Sequence, residues 1–109
     1  MSKSKKWEES QKLTARVYSG TVTPASGSGS SLLDVIAGGP YKGFRIENKF
    51  TEGGSISLSK TIVKKARLQA ASMGTQYFLV FEIEDYPKNI RMVCLEESLF
   101  TSLFERGEL

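Results

Sequence analysis

The chain has 109 residues, a formal net charge of +3 and an isoelectric point near 9.1. A chain of this length forms one domain, and a hydrophobic content of 39% is enough for one core. Histidine is absent and cysteine occurs once, which excludes histidine-ligated zinc sites, Ser-His triads and an intramolecular disulfide framework. Any catalysis must therefore use carboxylates, lysine, tyrosine or a metal ion.

The distribution of charge is compatible with a polyanionic partner. Lysine and arginine concentrate at Lys3–Lys12 and Lys60–Arg67, whereas acidic residues concentrate at Glu82–Asp85 and near the C-terminus. A basic face of this kind would orient a small domain on a polyanion. No apolar run approaches the ~20 residues that cross a bilayer, and no apolar signal core follows the basic N-terminus. We therefore expect no membrane contact and a location in the reducing cell interior.

The first predicted element is a helix with one acidic residue on its inner side. We expect residues 1–5 to be disordered and residues 6–18 to be helical. Glu9, Leu13 and Val17 recur every fourth residue and therefore share one face of that helix. We expect this face to point inward, which would place the Glu9 carboxylate where a solubilising glutamate is not needed.

Three strands and a glycine-serine segment follow this helix. Residues 21–23 are predicted to form a short edge strand, and residues 32–37 and 44–51 to form a β-hairpin. The connection at residues 25–31 has the composition of a flexible linker, although it joins two elements of one small domain. It is therefore either a passive loop or a loop whose N–H and hydroxyl groups contact phosphate.

The second half is predicted to continue as helix, strand, strand, helix. Residues 59–73 form the first of these helices, with Ser59 as its N-cap, and residues 77–83 form a central strand. Residues 90–95 form the last strand and residues 96–105 a C-terminal helix. The expected buried stripe of the 59–73 helix consists of Ile62, Val63, Ala66, Ala70 and Met73. This order predicts an α/β fold in which helices flank a mixed central β-sheet, with residues 1–109 forming a single domain.

The predicted hairpin carries the residues most suited to chemistry. Glu47 and Lys49 are two residues apart in a strand, so their side chains project to the same face. Hairpin pairing can bring Asp34 of the first strand close to Glu47. A carboxylate in an apolar strand costs several kcal/mol unless it is paired or bound to metal. The three residues therefore form either a structural ion pair or a site for a divalent metal ion.

A wider pattern around these residues resembles the PD-(D/E)xK nuclease superfamily, and within it the archaeal and phage-type Holliday junction resolvases. The matching residues are Glu9 in the first helix, the Ser26–Ser30 loop, Asp34–Ala37, and Arg45–Thr51. Leu33 stands where many members have a proline. The resemblance covers roughly residues 5–95 and implies a restriction-endonuclease-like core with Mg²⁺- or Mn²⁺-dependent endodeoxyribonuclease activity.

The resemblance also implies a role for each matching residue. Asp34 and Glu47 would hold the metal ion together with the backbone carbonyl of Asn48. Lys49 would orient or deprotonate the attacking water, and Glu9 would complete the site directly or through water. The residues implied to contact DNA are Ser26, Ser28, Ser30, Thr51, Lys60, Lys64, Lys65, Arg67 and Gln69.

The implied substrate is branched DNA, above all the four-way junction. Resolving a junction requires paired cuts, so a homodimer is expected, with residues 96–109 as a possible dimer contact. The family points to a bacterial cytoplasm and a phage or prophage origin. Two other functions stay open: a nicking or restriction-type nuclease on the same fold, and a nucleic-acid-binding module without catalysis, in which the acids are structural partners.

Overall fold

The computed structural model describes residues 2–23 and 33–108, and the side chains of residues 5–23 and 33–108. The helices in these ranges are α1 (Ser2–Val17), α2 (Lys60–Ser72) and α3 (Glu97–Glu105). The strands are β1 (Thr21–Val22), β2 (Val35–Ile36), β3 (Phe44–Thr51), β4 (Gln76–Ile83) and β5 (Ile90–Cys94). A single 3₁₀ turn, Gly39–Tyr41, joins β2 to β3. None of the helices in the described ranges is long and apolar enough to cross a membrane.

The strands form one mixed sheet in the order β1-β2-β3-β4-β5. The β1, β2 and β3 strands are antiparallel neighbours, β3 and β4 are parallel, and β4 and β5 are antiparallel. The crossover between the parallel strands contains α2, as a parallel connection requires. The predicted α/β fold with a mixed central sheet is therefore confirmed, and β4 occupies the internal position that its apolar sequence predicts.

The two helices α1 and α2 cover opposite faces of this sheet. Ala15 of α1 packs with Ile46 and Val80, whereas Ala66 of α2 packs with Leu79. We call the side covered by α1 the back face and the side covered by α2 the front face. Because side chains alternate along a strand, successive β3 residues point in turn to the front and to the back.

Local sequence signals predict α2 well. The Ser59 hydroxyl accepts a hydrogen bond from the backbone N–H of Ile62, as an N-cap residue should. Gly74 follows the helix with a φ of 68°, a conformation that glycine adopts without strain. Ala70 is buried as expected, but Met73 is 42% exposed. The inward placement of Met73 was therefore wrong, because the helix ends at Ser72 before a further turn can cover it.

The prediction for α1 was wrong in its start and in its buried face. The helix begins at Ser2, although residues 1–5 were expected to be disordered. Its buried side chains include Ser10 and Thr14, whereas Glu9 and Val17 are exposed. Successive helix residues point in directions about 100° apart. The buried face runs through Ser10 and Thr14, one residue later than the expected face through Glu9 and Leu13, so the Glu9 side chain points to solvent. The polar face is buried because the sheet offers it hydrogen-bond partners.

Candidate functional site

The hairpin brings its two acidic residues together on the front face. Val35 pairs with Ile46 across the β2–β3 ladder, which sets Asp34 beside the start of the Glu47–Lys49 segment. The Asp34 carboxylate accepts a hydrogen bond from the backbone N–H of Asn48, with an N···O distance of 2.8 Å. Asp34 is only 5% exposed. The predicted proximity of Asp34 and Glu47 is therefore confirmed, and strand register is its cause.

The third predicted member of the site lies beside Glu47. The Lys49 ammonium is 3.2 Å from a Glu47 carboxylate oxygen, and their side chains are 35% and 21% exposed. Glu47 pairs with Leu79 of β4, whose side chain packs under α2. Glu47 and Lys49 thus project to the front face at the edge of the core, where both side chains are partly exposed to solvent.

The surroundings of Glu47 disfavour its ionised form. Burial raises the pKa of Glu47, and the nearby negative charge of Asp34 raises it further. Lys49 and Lys65 of α2 oppose this rise with their positive charges, yet the net direction is upward. A cation beside the Glu47 carboxylate would oppose this shift, because a positive charge stabilises the ionised form. Lys65, predicted as a DNA contact, is therefore also an electrostatic neighbour of Glu47.

The donor set fits a hard divalent cation. Across the described residues, no group of three or more acidic or cysteine side chains is placed to hold a metal ion. The site consequently offers two carboxylates, from Asp34 and Glu47. Magnesium is commonly held by one or two carboxylates while it keeps several waters, and manganese takes similar oxygen ligands. Both ions fit these residues.

Glu9 does not lie with these residues. It is exposed and borders a cleft on the back face together with Glu82 and Glu84. Its neighbour Ser10 is buried and hydrogen-bonded to Glu82, which fixes the direction in which α1 faces the sheet. The expectation that Glu9 points inward and completes the site was therefore wrong, because α1 and the Glu47–Lys49 pair are on opposite sides of β3.

The residues predicted to contact DNA are distributed unevenly. Lys60, Lys64 and Lys65 are exposed on α2, over the same front face as the carboxylates. Arg67 is engaged elsewhere: its guanidinium lies 2.9 Å from Glu96, which also accepts a hydrogen bond from the Tyr77 hydroxyl. These three lysines are therefore exposed on the helix that covers the front face, while Arg67 ties α2 to the start of α3.

Two further residues predicted to contact DNA are less exposed than the lysines, and three lie outside the described residues. Thr51 and Gln69 are half-buried, and the Thr51 hydroxyl accepts a hydrogen bond from the backbone N–H of Gly53. Ser26, Ser28 and Ser30 lie outside the described residues.

The sequence analysis missed a polar cluster behind the site. Asn48, between Glu47 and Lys49, is 1% exposed and hydrogen-bonds to Ser10 and Thr14 of α1. The available signal was strand alternation: a polar residue between two front-face residues must point to the back, where apolar side chains are expected.

Comparison of the chain with models of protein families and with curated proteins gave no match. The chemistry of the site is therefore inferred from its own residues. Asp34 and Glu47 can bind a divalent cation, and the Lys49 ammonium can hold an anionic group next to that ion. The exposed lysines of α2 add positive charge on the same side of the sheet.

Proposed function

We propose that the protein is a metal-dependent endodeoxyribonuclease that cuts branched DNA, acting as a Holliday junction resolvase. The observation that carries this proposal is the convergence of Asp34, Glu47 and Lys49 on one face of the sheet. The order of helix, three antiparallel strands, helix and parallel strand also supports the restriction-endonuclease-like core that the sequence predicts.

Each residue of the site would have a separate task. Asp34 and Glu47 would bind Mg²⁺ or Mn²⁺, with the backbone carbonyl of Asn48 as a further ligand. The ion, when bound, supplies Lewis-acid stabilisation of the phosphate and lowers the pKa of a bound water. Lys49 would donate hydrogen bonds to a phosphate oxygen or orient the water, since its ammonium already lies beside Glu47. Glu9 has no task in this proposal.

The path of the DNA would follow the front face. Lys60, Lys64 and Lys65 would contact phosphates on either side of the cut without reading base sequence. Paired cuts across a junction would require two copies related by a twofold axis. An enzyme of this kind would work in the cytoplasm of a bacterial cell, and its phage or prophage origin stays a prediction.

The decisive experiment separates cutting from binding. Asp34→Asn and Glu47→Gln should abolish the nicking of a labelled four-way junction in Mg²⁺ or Mn²⁺, because each removes a charged metal ligand. Both variants should still shift the junction in a gel with EDTA present, because the α2 lysines are unchanged. Glu105→Gln, which alters an exposed carboxylate of α3, is the matched control and should cut like the wild type.

A second function, DNA binding without catalysis, is favoured by one observation. The Glu47–Lys49 distance of 3.2 Å is also what a purely structural ion pair between two side chains on one face of a strand would show. Under this alternative the wild type binds branched DNA but cuts no substrate in either metal. A panel of junction, fork, flap and duplex DNA distinguishes the two and also tests the choice of branched DNA.

A further inference from the structure

A closed ring of hydrogen bonds lies on the back face, directly behind the Glu47–Lys49 segment. Its five members are contributed by α1, β3, β4 and β5. They are Ser10, Thr14, Asn48, Glu82 and Arg91. We call this set the back-face ring. Four of its members are at most 5% exposed, so the ring is a buried polar structure within an otherwise apolar layer.

Each bond of the ring has a fixed direction. The Asn48 amide nitrogen donates to the Ser10 hydroxyl at 2.9 Å, and that hydroxyl donates to Glu82 at 2.6 Å. Arg91 donates to Glu82 at 2.5 Å and to the Thr14 hydroxyl at 2.6 Å. The Thr14 hydroxyl then donates to the Asn48 amide oxygen, which closes the ring. Both ends of the Asn48 side chain are therefore held by residues one turn apart on α1.

The ring is connected to the candidate site through the backbone of one residue. The N–H of Asn48 donates to the Asp34 carboxylate at 2.8 Å, while its side chain is held by the ring. Asn48 also lies between Glu47 and Lys49 in the chain, so its backbone is bonded directly to the residues that carry both side chains. Any shift of Asn48 relative to α1 would move Asp34, Glu47 and Lys49 relative to one another.

We propose that Asn48 is a positioning residue: the back-face ring holds it against α1 and thereby keeps Asp34, Glu47 and Lys49 in the geometry that binds the metal ion. This inference rests on the proposed function. Groups that orient metal ligands change metal affinity or activity by about 10–100-fold when they are removed. A buried polar side chain at a single core position can also specify the register of packed elements.

The test compares two threonines that are equally buried. Thr14→Val removes the hydroxyl that bridges Asn48 and Arg91 while keeping the side-chain shape. Thr23→Val is the matched control, because Thr23 is 2% exposed and its hydroxyl, within the described residues, has no hydrogen-bond partner. Mn²⁺ affinity is measured by calorimetry without DNA, at a temperature where both variants are folded by circular dichroism.

We expect Thr14→Val to weaken Mn²⁺ binding by about tenfold or more, and Thr23→Val to leave it unchanged. Thr14→Ser retains the hydroxyl and should restore wild-type affinity. If Thr14→Val is unfolded, Ser10→Ala replaces it, since it removes two bonds of the same ring. Single-turnover cleavage should fall in parallel, with junction affinity in EDTA unchanged.

The possible outcomes separate the two proposals. A ring variant that is folded and binds Mn²⁺ as tightly as the wild type overturns the positioning role alone. Equal weakening by the ring variant and by Thr23→Val also overturns it, because the effect would then come from general loss of stability. A wild-type protein that binds no Mn²⁺ and cuts no DNA overturns both the proposed function and this inference.

Discussion

Glu47 shows how a residue of the proposed metal site can lower the stability of the fold that carries it. Its carboxylate is half-buried beside Asp34, and this partial burial together with that neighbouring charge raises its pKa. A carboxyl group whose pKa is higher in the folded state than in the unfolded state lowers the free energy of unfolding at pH values where it is ionised. The charge would be retained because a metal site requires it, at the expense of some stability in the metal-free protein.

Replacement of this carboxylate should therefore stabilise the metal-free protein. Glu47→Gln is expected to raise the melting temperature at pH 7 in EDTA by about 2–4 °C. The gap between variant and wild type should close as the pH falls through the raised pKa toward 4.5, the ordinary value, because wild-type Glu47 then becomes protonated. Thermal denaturation followed by circular dichroism measures the gap, with Glu105→Gln as an exposed control. A lower melting temperature for Glu47→Gln at pH 7 would show that its pairing with Lys49 outweighs burial.

At the scale of single elements, α1 is the part whose orientation decides the composition of the site. The helix presents hydroxyl groups to the sheet and turns its glutamates to solvent. Glu82 accepts a hydrogen bond from Ser10 of this helix, and opposing effects act on the pKa of its carboxyl group. Burial alone would raise the pKa of Glu82, but hydrogen bonds from Asn89 and Ser10 and the charge of Arg91 outweigh it and lower the pKa. Ionised Glu82 is therefore a suitable anchor for α1 at neutral pH.

This orientation predicts that neither α1 glutamate contributes to catalysis. Glu8→Gln and Glu9→Gln should each change the rate of junction cleavage by less than about twofold, because exposed substitutions away from special features have small effects. Single-turnover kinetics on the four-way junction measure both variants side by side. Loss of cleavage in Glu9→Gln, with Glu8→Gln normal, would contradict the orientation of α1 described here.

At the scale of the whole molecule, the C-terminal helix leaves an apolar surface uncovered. Phe100 and Phe104 of α3 are 45% and 64% exposed, with ring centroids 6.0 Å apart. Phe100 lines a groove of about 820 Å³ whose lining extends to the aromatic end of the back face. Its aromatic lining residues include Tyr18, Tyr41, Phe44, Phe78 and Phe100. Exposed apolar patches often mark interaction sites, and the homodimer proposed above would use this one.

The proposed homodimer can be tested through this surface. The double variant Phe100→Ser/Phe104→Ser should be monomeric in sedimentation experiments at micromolar concentration, whereas the wild type should be dimeric. Leu68→Ser is the control, because Leu68 is 73% exposed on α2 and lies outside the α3 groove. Its oligomeric state should match that of the wild type. A monomeric wild type would remove the homodimer from the proposal and leave the metal site untouched.

The sequence by itself determined the order of the elements, the limits of α2 and the meeting of Asp34 with Glu47. These features depend on local signals: the Ser59 cap, the glycine at position 74 and the short hairpin connection. Hairpin register needs no information from distant parts of the chain, so residue spacing is sufficient to predict it.

Only the tertiary structure decided which face of α1 is buried. The α1 helix could bury either an apolar face that includes Leu13 or a polar face that includes Thr14. The sequence of the helix alone does not distinguish these two orientations. The choice depends on Glu82 and Arg91, which come from strands about seventy residues away and supply the hydrogen bonds that make a buried polar face stable. That long-range pairing removes Glu9 from the site and holds the Asn48 side chain against α1.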